Sequence, residues 1–530
     1  MNTGSRIGAY VLDTLTTGMY RTPLDTVREY VANARDSIVE ALEQGLIKNQ
    51  RGRIRVIIDS KQQSLSIIDT GVGIPCEHAY QRLVNVGMSS KSATKSIDRL
   101  AEHKSVGFRG IGRLAGIAYC DQLEFYTSAI NESKETVVRF DCVALRKGIS
   151  NTTTSSAVDA TVLLDRCVST ETKEASNEDH YFKVRMLGVY ESCNDLLDSN
   201  KLCEYLSQNA SVSMDAHRFI YVDKIKNYME DNNKISIPDM DIVIEKNGKQ
   251  KHVVFRPYKT TYYTSKKERI DIKDVEFIEP TQPGLGYWGW YGKSNLAGQI
   301  DDVVASGIRI RMQGIGFGDA DLMAEIFRDY AISSERLNGW YIGEIHIHNP
   351  DVIPNGRRDG FEETDSWIAI RKDLKEHAGK LSRFCYNESE SRNVSKKKAD
   401  EIADKEISKI DRFIKTGVSS DEKREELLAD LAKVEDNLER RKRKALKIRG
   451  EDEAIGINQA IERVKKKGEE LRNIRFVSSD LEIGMSREEK VLLRKILKAI
   501  QSIFDNENYL KAYNAIKEIL EVKKERKKRD

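Results

Sequence analysis

The sequence has 530 residues, a formal net charge of +3 and 32% charged residues. That length holds roughly two to four domains with ample cores, and the charged fraction is high for a compact enzyme, with the excess late in the chain. Seven cysteines with no CxxC pair and no metal-ligand spacing exclude a disulfide framework and fit free thiols in a reducing cytoplasm. The eight histidines form no HExxH. The opening "MNTGSRIGAYVLDTLTTGMY" lacks the basic-then-apolar layout of a signal, and no apolar run is long enough to span a bilayer. The expectation is a cytoplasmic protein with no membrane partner.

Three textures divide the chain at about 1–235, 236–388 and 389–530. The first mixes helices with short β-branched strands such as "RIRVIID" and "LSIID". Early in it, "REYVANARD" reads as a helix whose Glu29, Asn33 and Asp36 project from one face. An unpaired buried carboxylate is costly, so such a stripe faces solvent, a partner, a metal or a ligand. Further on, "SIIDTGVGIP" is an apolar strand ending in Asp69, followed by Gly71 and Gly73. Then "HKSVGFRGIGRLAG" leads through Gly107, Phe108, Gly110 and Gly112 into a helical pattern.

Together these stretches suggest a nucleotide. An aspartate at a strand end accepts a hydrogen bond from an exocyclic amine, and adjacent glycines let backbone approach a planar ring. A glycine-rich turn opening a helix offers N–H groups to phosphates. Asn33 supplies a hard oxygen for Mg²⁺, and Glu29, one turn away, is placed to polarise a water for attack on a γ-phosphate.

The second texture opens with "DIVIEKNGKQKHVVF", a hairpin around Asn247-Gly248. Apolar alternation broken by Gly and Pro follows, as in a sheet with exposed loops. Tyr287, Trp288 and Trp290 in "GYWGWYGK" alternate as core residues do, and His346 and His348 alternate on a strand without a metal site. In the third texture Leu427, Leu431, Val434, Leu438, Ala445 and Ile448 follow a heptad with Arg441 at a polar position. Ile457, Ile461, Val464 and Leu471 resume it after "RGEDEAIG", so helices that fold back on one another are expected. Ser419/Glu422 and Ser486/Glu489 are spaced as capping boxes.

The order of the early motifs resembles the GHKL superfamily of gyrase, the ninety-kilodalton heat-shock chaperone, histidine kinases and MutL. Its N-box is matched by Glu29, Asn33 and Asp36, its DxGxG box by Asp69, Gly71 and Gly73, and its third box by "GFRGIGRLAG". "REYVANARD" looks most like the heat-shock branch and "GFRG" like MutL. The resemblance implies an α/β fold: an N-terminal Bergerat-type sandwich at 1–235, a transducer-like α/β domain at 236–388, and a helical or coiled-coil module at 389–530. It implies binding and hydrolysis of ATP with Mg²⁺ held by Asn33, and a lid in which Ser90 and Lys91 meet phosphate. It also implies a basic residue sent from the second domain to the γ-phosphate. "VIPNGRRDGFEE" resembles the heat-shock loop, which assigns that role to Arg358, with Arg357 as alternate.

The family's fourth box has no clear counterpart; Thr161 in "DATVLL" and the strand "FKVRML" are the candidates. The function implied is an ATP-gated clamp, a homodimer joined through its C-terminal helices, closing on a protein partner and used in bacterial-type defence. The alternative is a MutL- or MORC-like nucleic-acid clamp using "ERRKRKALK" and "EVKKERKKRD".

Overall fold

A computed structural model describes residues 9, 11–12, 14, 20–47, 51–85, 112–150, 159–232, 234, 239–416, 418, 421–473, 481–482 and 485–526. The chain divides into two compact units, Met1–Cys385 and Tyr386–Asp530. Among the described residues, the first unit is built on two sheets.

The first sheet has eight strands in the order β5-β4-β3-β6-β2-β1-β7-β8. They are β1 (Arg53–Asp59), β2 (Ser64–Asp69), β3 (Gln122–Ser128), β4 (Lys134–Asp141), β5 (Val168–Glu174), β6 (Tyr181–Leu187), β7 (Asp241–Lys246) and β8 (Gln250–Val253). Period-2 alternation sends Ile54, Val56 and Ile58 of β1 and Leu65 and Ile67 of β2 inward. There they meet Val27, Val31 and Ile38 of helix α1 (Pro23–Glu43) in one apolar core.

The Asn247-Gly248 hairpin forms, with both residues left-handed (φ 53 and 67) as a type I′ turn requires. Its strands complete the first sheet. β7 runs parallel to β1 with Ile242 beside Ile54 and Ile244 beside Val56, so this sheet crosses the division expected at residue 235. Matching apolar periods on β1 and β7 are the physical reason.

The second sheet has the order β13-β12-β14-β11-β10-β9. Its strands are β9 (Thr261–Tyr263), β10 (Arg269–Ile278), β11 (Tyr287–Ser294), β12 (Gly307–Met312), β13 (Ile315–Phe317) and β14 (Ile342–Ile347). Tyr287, Trp288 and Trp290 are buried in it, and His346 stacks on Trp288 at 4.5 Å. Glu344 at its centre is fully buried between Arg311 (2.5 Å) and Arg256.

"DATVLL" departs from expectation. Ala160–Cys167 is a helix, not a strand, begun by the Asp159 carboxylate accepting the Thr161 N–H at 2.9 Å. Thr161 is exposed there, away from the first sheet's pairing. "FKVRML" is strand β6, directly beside β2.

In the second unit, Lys396–Thr416, Asp421–Ile448 and Glu451–Arg472 are helices around one apolar core. Gly450, at φ 91, makes the reversal between the last two. The heptad residues Leu427, Leu431, Leu438, Ala445, Ile457, Ile461, Val464 and Leu471 are all buried inside this single-chain bundle. Arg441 donates to Asn437 at 2.6 Å. A helical pair, Arg487–Ile503 and Asn506–Arg526, follows, its start fixed by the Ser486/Glu489 capping box. Ser419 lies outside the described residues. Among the described residues no helix is long and apolar enough to cross a membrane.

Candidate nucleotide site

Helix α1 begins where Asp25 Oδ2 accepts the N–H groups of Arg21 and Thr22, each at 3.0 Å, with Pro23 in the first turn. Its apolar face enters the core, which turns Glu29, Asn33 and Asp36 towards the remaining side. Glu29 is buried, while Asn33 and Asp36 are half-buried. Asp36 is engaged by its neighbour, the fully buried Arg35, at 3.0 Å. Tyr30 anchors the next element: its hydroxyl donates to Arg113 O (3.1 Å) and accepts the Gly116 N–H (2.8 Å).

That element is the 3-10 turn Gly112–Ala118. A Cβ at Gly112 would lie 2.4 Å from Glu29 Oε2, so the backbone abuts the carboxylate closely. Arg113, whose guanidinium pKa burial lowers to about 10, donates to Asn85 O. Asn85 and Arg113 flank segment 86–111. Ser90, Lys91, Gly107, Phe108 and Gly110 fall in that segment, outside the described residues.

Asp69 ends β2 and is buried. Burial raises its carboxyl to about 7, against the pull of the Gly71 and Phe182 N–H groups; the Gly71 bond to Oδ1 is 2.8 Å. A Cβ at Gly71 would meet Ser37 Oγ at 2.0 Å and Asp69 Oδ1 at 2.7 Å. Gly73 has φ +68, and a Cβ there would lie 1.9 Å from Ser128 O. Ser37 Oγ accepts the Val72 N–H (3.1 Å), Thr127 Oγ1 accepts the Ile74 N–H (2.6 Å), and His180 Nδ1 lies 2.9 Å from Gly71 O.

These three side chains hold the loop, and motif reading misses them. Ser37 carried a signal: it lies four residues after Asn33, on the same helix face.

The second sheet's end of the chain contributes directly. Arg358 Nη2 lies 3.0 Å from Glu29 Oε2, and both side chains are buried. Arg358 is left-handed (φ 54), in a loop where Asn355 donates to Asp359 at 2.7 Å. Arg357 is exposed; its carbonyl, not its guanidinium, meets α1, by accepting from Arg28 Nη2 at 3.0 Å. Ala32 packs into the second sheet's core, and Arg35 Nη2 reaches Gln313 Oε1 at 3.5 Å.

The donor set fits a purine nucleotide. Asp69 is a buried carboxylate with only backbone N–H partners among the described residues, which suits an amine donor. Among the described residues no group of three or more His, Cys, Asp or Glu side chains gathers to hold a metal. Asn33 offers one oxygen, which fits a cation that keeps waters and phosphate oxygens as its other ligands.

Among curated proteins, none matches the chain. Residues 21–172 match the family model described as histidine kinase-, DNA gyrase B-, and HSP90-like ATPase. The match spans Glu29, Asn33, Asp69 and Gly112, and it supports the GHKL superfamily for this part of the chain.

Proposed function

We propose that the chain binds and hydrolyses ATP and couples hydrolysis to movement of the second sheet against the first. The observation that carries this reading is the 3.0 Å contact between Glu29 and Arg358. Asp69 accepts from the adenine amine, and the Gly71–Gly73 backbone lies along the ring. Asn33 would hold Mg²⁺, which supplies charge neutralisation at the phosphates. Glu29 takes the proton of the attacking water, which requires its carboxylate to be free.

In this conformation Arg358 occupies that carboxylate. A γ-phosphate carries more negative charge and draws the guanidinium from Glu29, freeing the base and stabilising the charge that develops in transfer. Loss of phosphate returns Arg358 to Glu29. The loop of residues 354–360 thus moves with the state of the nucleotide, which suits a clamp that closes on a protein partner.

Pairing of two copies belongs to this proposal, but through surfaces other than the heptad residues that the bundle buries, Leu427, Leu431, Leu438, Ala445, Ile457, Ile461, Val464 and Leu471. A nucleic-acid clamp is less favoured. Within "ERRKRKALK" and just beyond it, Arg440, Lys444 and Arg449 pair with Asp436, Glu390 and Glu453.

Phosphate release and calorimetry on Glu29→Gln test the reading. ATP affinity should stay near that of the natural chain, while turnover falls about 10²- to 10⁴-fold. Turnover within a few-fold of the natural chain would remove Glu29 from the chemistry.

A further inference from the structure

We propose that Tyr205 is a positioning residue for this reaction, acting through Asp25 and Arg28 on the loop that carries Arg358; the inference rests on the ATPase reading above. Tyr205 lies on the helix Ser199–Asn209 and its hydroxyl donates to Asp25 Oδ1 at 2.7 Å. The other oxygen of Asp25 is committed to the start of α1 through Arg21 and Thr22. With Oδ1 held by the phenol, Arg28 Nη1 stays 3.8 Å from it, longer than a direct charged hydrogen bond. Arg28 Nη2 is therefore available to Arg357 O at 3.0 Å.

That bond matters because the next residue is strained. Arg358 is a left-handed non-glycine residue, and such a conformation persists only where its surroundings impose it. The carbonyl of Arg357, pinned by Arg28, is one such constraint. The C-terminal end of the Tyr205 helix is pinned by the second sheet: Arg311 donates to Gln208 O (2.8 Å) and Ala210 O (3.2 Å) while pairing with Glu344. The contacts form a closed ring, from the second sheet through Tyr205, Asp25 and Arg28 to the Arg358 loop and back. Without the phenol hydroxyl, Asp25 Oδ1 is free to close on Arg28. The guanidinium then leaves the Arg357 carbonyl, and Arg358 loses its aim at Glu29 and at a γ-phosphate.

The experiment compares the full chain with Tyr205→Phe, alone and in an Arg28→Met background, by phosphate release and by calorimetry with ATP. Tyr205→Phe should leave ATP affinity and KM within about twofold and lower kcat about ten- to a hundredfold, the scale of a small misplacement. In the Arg28→Met background it should add nothing further. An unchanged kcat in Tyr205→Phe, with Glu29→Gln inactive, overturns the positioning role and leaves the ATPase reading standing. The same outcome holds if the kcat loss is as large in the Arg28→Met background. A natural chain that binds ATP without hydrolysing it overturns both.

Discussion

Arg358 and Glu29 lie far apart in sequence and meet at 3.0 Å, buried, at the junction of the two sheets of the first unit. A buried ion pair is a poor source of stability, because desolvation offsets much of the attraction, yet removing one partner strands the other. This pair joins a carboxylate suited to general-base work to a guanidinium suited to phosphate. In the proposed reaction its value lies in exchange: the arginine would have two anions to choose between, and only one of them would come with ATP.

Asp69→Asn should weaken ATP binding. The substituted amide can leave an unmet donor against the adenine amine in a buried site, a penalty of about 1–3 kcal/mol, or roughly five- to 150-fold in affinity. GTP should bind the natural chain poorly, since its six-position carbonyl would face acceptor oxygens. Calorimetry with both nucleotides checks this, and unchanged ATP affinity in Asp69→Asn would move the purine elsewhere.

The raised pKa of Asp69 gives a pH dependence with a definite sign. Burial lifts the carboxyl from 3.8 to about 7 in the folded chain, so the folded state holds a proton that the unfolded state gives up at lower pH. The contribution to stability is therefore present at low pH and lost as pH rises through 7. ATP binding runs the other way, because the carboxylate accepts from the amine more strongly than the protonated acid, whose O–H would face that donor. Affinity should rise through pH 7 and level off above it, with a deficit of roughly tenfold one unit below the pKa. Calorimetric titrations from pH 5.5 to 8.5 should show this for the natural chain and lose it in Asp69→Asn.

Gly112→Ala should separate binding from chemistry. Its Cβ would meet Glu29 Oε2 at 2.4 Å, so the carboxylate must swing aside. Turnover should fall by about ten- to a hundredfold, with ATP affinity little changed. Full turnover in this variant would show that the position of Glu29 is not critical.

Much of this site was legible because its groups are short motifs with local geometry. Helical spacing puts Glu29 and Asn33 on one face, and a strand end followed by glycines places Asp69. Asn247-Gly248 and Ser486/Glu489 announced a turn and a cap for the same reason. What stayed hidden depends on distant pairings. Ser37, Thr127 and His180 matter only because one loop folds across a helix face and a strand. Arg28 reads as one more charged helix residue until Arg357 arrives. "DATVLL" has a strand's composition, but the Asp159 cap starts a helix. The heptads correctly gave helices that fold back, yet periodicity alone does not say whether an apolar stripe meets its own chain or another.

The contact between Arg358 and Glu29 is tested most directly by single-turnover hydrolysis of ATP by full-length Arg358→Ala, alongside its calorimetric ATP affinity. The expected result is an affinity within about threefold of the natural chain and a hydrolysis rate lower by about 10²- to 10³-fold, the scale of a lost transition-state charge. Hydrolysis as fast as in the natural chain, at equal affinity, would contradict the role given to Arg358 and leave the second sheet outside the reaction.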